Sequence, residues 1–168
     1  IYQFYILPYA WKDAPWWSED QIRNLNQIID VVKRNFNIDE NRVVLSGSSD
    51  GGTGTYFAAM RETTPFASFL PLIGFAGVLA NDEIDDGLMF PNNFRNKPLY
   101  VINGGKDPLY PAAEVTPFIE HLRNHGVEVR YHIEADSGHS TAWWPTVRDD
   151  FEAFVQQHPR DPYPDFLT

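Results

Sequence analysis

Residues 42 to 54 read Arg42-Val43-Val44-Leu45-Ser46-Gly47-Ser48-Ser49-Asp50-Gly51-Gly52-Thr53-Gly54. The apolar, β-branched start predicts a strand, and Tyr56, Phe57, Ala58, Ala59 and Met60 beyond the glycines favour a helix. Between them Gly47-Ser48-Ser49-Asp50-Gly51 forms a G-x-S-x-G sequence. Small residues at its two ends let the backbone make a strained turn that presents the central hydroxyl to solvent. The bare pattern is common. Its position between a strand and a helix gives it meaning, and Ser49 becomes a candidate nucleophile.

Outward from this stretch the chain alternates. On its N-terminal side Ser18 precedes Glu19, Asp20 and Gln21, a helix-start signature, and Ile22, Leu25, Ile28, Ile29, Val32 and Phe36 recur at helical spacing. Before that helix, Tyr2 to Leu7 reads as a buried strand ending at Pro8. On the C-terminal side strands are expected at Phe69 to Phe75, Leu99 to Asn103 and Val127 to Glu134, and helices at Ala112 to Asn124 and Trp143 to Gln157. Ala80 to Lys97 has no period and reads as a long surface loop or a degenerate crossover. Alternating strands and helices predict an α/β fold, a mainly parallel sheet with helices on both faces.

A serine hydroxyl is a weak nucleophile at neutral pH. It needs a base within hydrogen-bond reach, and the base needs a carboxylate to fix its tautomer. Asp107 follows the strand ending in Val101-Ile102-Asn103, in a Gly-Gly-Lys-Asp-Pro turn, and His139 follows the next strand in Asp136-Ser137-Gly138-His139-Ser140. Both would stand at the carboxyl ends of strands, where open α/β sheets gather their sites. Asp136 competes with Asp107 for the orienting role, but Asp107 can approach the ring from a different strand.

The order Ser49, Asp107, His139 resembles the α/β-hydrolase superfamily. Within it the chain is similar to esterases of the feruloyl esterase, polyhydroxybutyrate depolymerase and phospholipase/carboxylesterase type. The resemblance covers nearly all of residues 1 to 157 and implies ester hydrolysis through an acyl-enzyme on Ser49, with His139 as general base and Asp107 orienting it. It further implies that the backbone N–H of Asp50 is one donor of an oxyanion hole, and it implies no cofactor and no metal. Two departures stand out. Asp50 follows the nucleophile where many relatives carry a small or uncharged residue, and no His-Gly-type loop precedes Tyr2 to Leu7 to supply a second donor. The expectation is therefore an α/β-hydrolase fold lacking its N-terminal strands, with the second donor upstream of Ile1 or, alternatively, at Tyr9 or Ala10.

Composition narrows the remaining choices. The 168 residues are 43% hydrophobic and carry a net charge of -10 without a basic run, which speaks against nucleic acid and anionic lipid as partners. Cysteine is absent, so thiolate catalysis and disulfides are excluded. No apolar run is long enough to span a bilayer, and the chain reads as soluble, with a lean toward a secreted or periplasmic setting. Trp11, Trp143 and Trp144 are expected near the site as contacts for an aryl, sugar or acyl group, with Trp16 and Trp17 close by. His121 and His125, four apart on a helix, and the Asp82, Glu83, Asp85 and Asp86 cluster are candidate metal sites, and each lacks the further ligands that a site needs. The implied partner is a small-molecule or polymer-attached ester. The competing class is a non-catalytic carbohydrate- or protein-binding module on the same fold. Residues 1 to 157 form the expected catalytic domain, and 158 to 168, with Pro159, Pro162 and Pro164, a tail or linker toward possible further domains.

Overall fold

In the computed structural model the structure describes residues 3–9 and 14–165. Its elements run α1 (Glu19–Asn35), β1 (Val44–Ser48), α2 (Asp50–Arg61), β2 (Ser68–Leu72), β3 (Leu99–Gly104), α3 (Ala112–Asn124), β4 (Val129–Glu134) and α4 (Trp144–Gln157). Short 3₁₀ turns occupy Glu40–Arg42, Ala76–Ala80 and Pro91–Phe94. The four strands form one parallel sheet in the order β1-β2-β3-β4.

Alternation along the strands divides the core. Phe69, Leu99 and Val101 point to one face and pack with Tyr56, Phe57 and Met60 of α2 and with Val115, Ile119 and Leu122 of α3. Leu70, Leu72, Tyr100 and Ile102 point to the other and meet Val147 and Phe154 of α4. Helices thus cover both faces, as a parallel sheet buried on both sides requires. α1 starts where Ser18 accepts a hydrogen bond from the Gln21 N–H, and its Ile22 and Ile29 reach the α2–α3 side.

The long connection from β2 to β3 is the degenerate crossover. No long helix forms there, yet Leu79 and Phe94 are fully buried and plug the face that a crossover helix would otherwise cover. Its acidic residues are held from below: Arg61, stacked on Phe57 and Phe90, forms ion pairs with Asp85 and Asp86.

One expectation is corrected. Residues 3–9 form no strand, and Phe4, Tyr5, Ile6, Leu7 and Tyr9 are all exposed. A strand needs a neighbour to take its N–H and C=O groups, and none pairs with this segment among the described residues. The part of the run at Tyr2 lies outside them. After α4 the chain stays on the domain surface, where the Arg160 guanidinium bonds Asn41 and the Thr64 carbonyl and His158 contacts Glu128.

Candidate active site

The turn from β1 into α2 places Ser49 at φ 56°, ψ -121°, a conformation disfavoured for any residue with a Cβ. Two bonds hold it there. The Ser49 N–H donates to the Leu72 carbonyl at 3.0 Å, and its own carbonyl accepts from the Thr53 N–H at 3.0 Å. Gly47 permits the turn because a Cβ on it would sit 2.3 Å from the Gly51 carbonyl oxygen. The result lifts the Ser49 hydroxyl above the carboxyl edge of the sheet. α2 begins at Asp50, so the Asp50 N–H is among the amides at a helix start that have no carbonyl partner within the helix.

The turns after β3 and β4 are zipped to each other by their backbones. The Gly105 N–H donates to the Glu134 carbonyl at 2.8 Å, and the Lys106 N–H donates to the Ser137 carbonyl at 2.8 Å. Their approach is so close at Gly104 that a Cβ there would lie 2.3 Å from the Gly138 carbonyl oxygen. This contact brings Asp107 under His139. The Asp107 carboxylate is shielded from solvent; Oδ2 meets His139 Nδ1 at 2.8 Å, while Oδ1 accepts the Leu109 N–H at 2.8 Å and the Tyr110 N–H at 3.1 Å. With Nδ1 turned to a carboxylate, the proton belongs on Nδ1 and the lone pair on Nε2. His139 Nε2 lies 2.7 Å from Ser49 Oγ.

Ser49, His139 and Asp107 therefore form one hydrogen-bonded line contributed by three strand ends. Asp136, the competing carboxylate, points outward to Lys106 at 2.7 Å and is 92% exposed. The rings of His121 and His125, at the C-terminal end of α3, lie tilted against each other at 4.2 Å. Among the described residues no group of three or more His, Asp or Glu could hold a metal ion. The tryptophans are placed differently from expectation. Trp143 is buried in the core between sheet and α4, and Trp144 packs edge-on against Phe151 at 4.9 Å. Large rings just before a helix that lies on an apolar sheet face gain most by burial, which is why both turn inward. Trp11 lies outside the described residues. Trp17 packs with the α2–α3 core, and the Trp16 backbone crosses α2 closely at Gly54.

Sequence reasoning passed over Tyr110. Its ring meets that of His139 at 5.5 Å in a T-shaped contact and that of Phe75 at 6.2 Å. Burial pushes the Tyr110 hydroxyl up from its ordinary value. The available signal was its place three residues after Asp107, in the same turn.

Solved structures of similar backbone decide the fold. A thermostable esterase superposes with a TM-score of 0.66 at 23% identity over 84% of this chain, and the Pyrococcus horikoshii acylaminoacyl peptidase with 0.69 at 19% over 89%. The chain has the α/β-hydrolase fold. No protein-family model matches it. Among curated proteins a bifunctional acetylxylan esterase/xylanase of Neocallimastix patriciarum is 30% identical over 119 residues, which is 67% of this chain. The chain spans 14% of that relative and 37% and 29% of the two solved structures. Esterase and peptidase share this α/β-hydrolase fold, so chemistry must be argued from the site. Among the described residues no helix is long and apolar enough to cross a membrane.

Proposed function

We propose that this chain is a serine hydrolase unit that cleaves carboxylic esters, with Ser49 as nucleophile, His139 as general base and Asp107 as the residue that orients it. The observation that carries the reading is the line from Asp107 Oδ2 through His139 to Ser49 Oγ, with contacts of 2.8 and 2.7 Å, ending on a serine held at positive φ. The thermostable esterase and the acetylxylan esterase/xylanase among the similar proteins support the choice of ester over amide.

In the reaction Ser49 Oγ bonds to the ester carbonyl carbon while its proton passes to His139 Nε2. The carbonyl oxygen takes up the electron pair, and the Asp50 N–H donates to it. Collapse breaks the carbon–oxygen bond to the alcohol, which leaves with the Nε2 proton, and the acyl group remains on Ser49. Water then attacks the acyl carbon as Nε2 accepts its proton. A second collapse releases the carboxylic acid and returns the proton to Ser49 Oγ. Asp107 stays ionised throughout and stabilises the imidazolium formed twice per cycle. Acetyl groups carried on a polysaccharide are the substrate class suggested by the acetylxylan esterase/xylanase.

The test is turnover of p-nitrophenyl acetate and acetylated xylan by the parent and by Ser49→Ala. The expected loss is at least about a thousandfold on both. Binding of xylan undiminished in both proteins, with no turnover in either, would instead favour a carbohydrate-binding module.

A further inference from the structure

The contacts around Ser49 lead on one side into the core and on the other to Tyr110. The Ser49 carbonyl accepts the Thr53 N–H at 3.0 Å. The Tyr110 N–H donates to Asp107 Oδ1 at 3.1 Å; Asp107 Oδ2 meets His139 Nδ1 at 2.8 Å, and His139 Nε2 returns to Ser49 Oγ at 2.7 Å. Thr53 is fully buried and bonds the Phe75 backbone, and the Phe75 ring meets that of Tyr110 at 6.2 Å. The Tyr110 ring stands between His139 and Phe75.

Resting on the reading of Ser49 as the acylated residue, we propose that Tyr110 is a positioning residue whose main effect is on the second half-reaction, hydrolysis of the acyl-enzyme. The argument follows from what each half-reaction leaves in place. In the free protein the His139 ring is fixed at both nitrogens, by Asp107 and by Ser49. Once Ser49 carries an acyl group its hydroxyl proton is gone, and Nε2 loses that partner. The ring is then held by a single bond through Nδ1 and by whatever packs against it. Among the described residues Tyr110 makes the ring contact with His139, and it is itself tied to the acid's turn through its N–H and packed on Phe75. With the ring braced, Nε2 keeps the position from which it takes a proton from attacking water. Without the brace, deacylation slows while acylation, in which Ser49 still holds the ring, is little changed.

Such a change has a kinetic signature that general loosening of the fold does not produce. Slower deacylation lowers kcat and KM together and leaves kcat/KM in place, because that ratio reports steps through acylation only. It also makes the acyl-enzyme accumulate, seen as a burst of p-nitrophenol. The experiment uses Tyr110→Leu, which keeps apolar bulk, and Tyr110→Phe, which keeps the ring, with p-nitrophenyl acetate and with active sites counted by fluorophosphonate titration. For Tyr110→Leu, kcat and KM should both fall about tenfold, as a small misplacement of a reacting group can cause, with a burst approaching one equivalent per titrated site. Tyr110→Phe should recover most of the loss. A fall in kcat/KM with KM unchanged, or parent-like kinetics per titrated site in Tyr110→Leu, would overturn the proposal for Tyr110 alone. Undiminished turnover in Ser49→Ala would instead remove the acyl-enzyme reading on which it rests.

Discussion

Two stretches of this chain have nearly the same composition and opposite fates. Leu99-Tyr100-Val101-Ile102 is the middle of the sheet, bonded to β2 and β4 and essentially without solvent exposure. Phe4-Tyr5-Ile6-Leu7 has 45% to 80% of its surface exposed and pairs with no strand among the described residues. Both are short, aromatic and aliphatic runs, so composition cannot be what separates them. The difference lies in neighbours: a strand is stable only where adjacent strands take its backbone bonds and helices cover its side chains. The residues of the proposed site follow the same division. Ser49, Asp107 and His139 all hang from the ends of strands that are paired.

The contrast can be broken first at the end of β3. Asp107→Asn should lower esterase turnover by about four orders of magnitude, because an amide favours the wrong tautomer of His139. Asp136→Asn, which removes an exposed carboxylate bonded to Lys106, should leave turnover near the parent's. Steady-state kinetics of the two variants decides it, and equal losses would contradict the assignment. Next is packing. Ile102→Ala empties a fully buried position between sheet and α4 and should cost about 2–5 kcal/mol in chemical denaturation, while Leu7→Ala should change stability by about 0.5 kcal/mol or less.

How much of this could be read beforehand depends on the range of the forces involved. The turn around Ser49 was legible because glycine is needed locally at position 47 and because β1 and α2 flank it with clear patterns. Alternation located β2, β3, β4 and the helices to within a few residues of their observed bounds. The preference for Asp107 over Asp136 rests on topology, since a turn from a neighbouring strand approaches the ring sideways, and Asp107 Oδ2 lies 2.8 Å from His139 Nδ1. Trp143 and Trp144 were misplaced because sequence position next to His139 does not say which way a ring turns; α4 lying on the apolar sheet face does. Tyr110 went unseen because its partners Phe75 and His139 come from two other segments. The run at residues 3–9 was read by local pattern alone, and local pattern is silent about partners.

A separate expected effect concerns the opposite end of β3, two residues before its first residue. Burial, helped by the nearby Arg160 charge, holds the Lys97 ammonium down to about 8 from 10.5, and its Nζ donates to the Phe66 carbonyl at 2.6 Å. Between these two values the unfolded chain binds more protons than the folded one, so stability contributed at this site rises with pH across that window and is lost as pH falls to about 8. The Tm of the parent relative to Lys97→Met should accordingly climb from pH 8 to pH 10, by differential scanning calorimetry. A difference that stays flat over that range would show that Lys97 titrates alike in both states.

The account stands most directly on the covalent chemistry of Ser49. Treating the folded protein with a fluorophosphonate and mapping the adduct by peptide mass spectrometry should give one phosphonyl group per chain, on Ser49, formed far more slowly in His139→Ala. Labelling at Ser46, Ser48, Ser137 or Ser140 in place of Ser49, or a Ser49 that stays unmodified while His139 is intact, would contradict it.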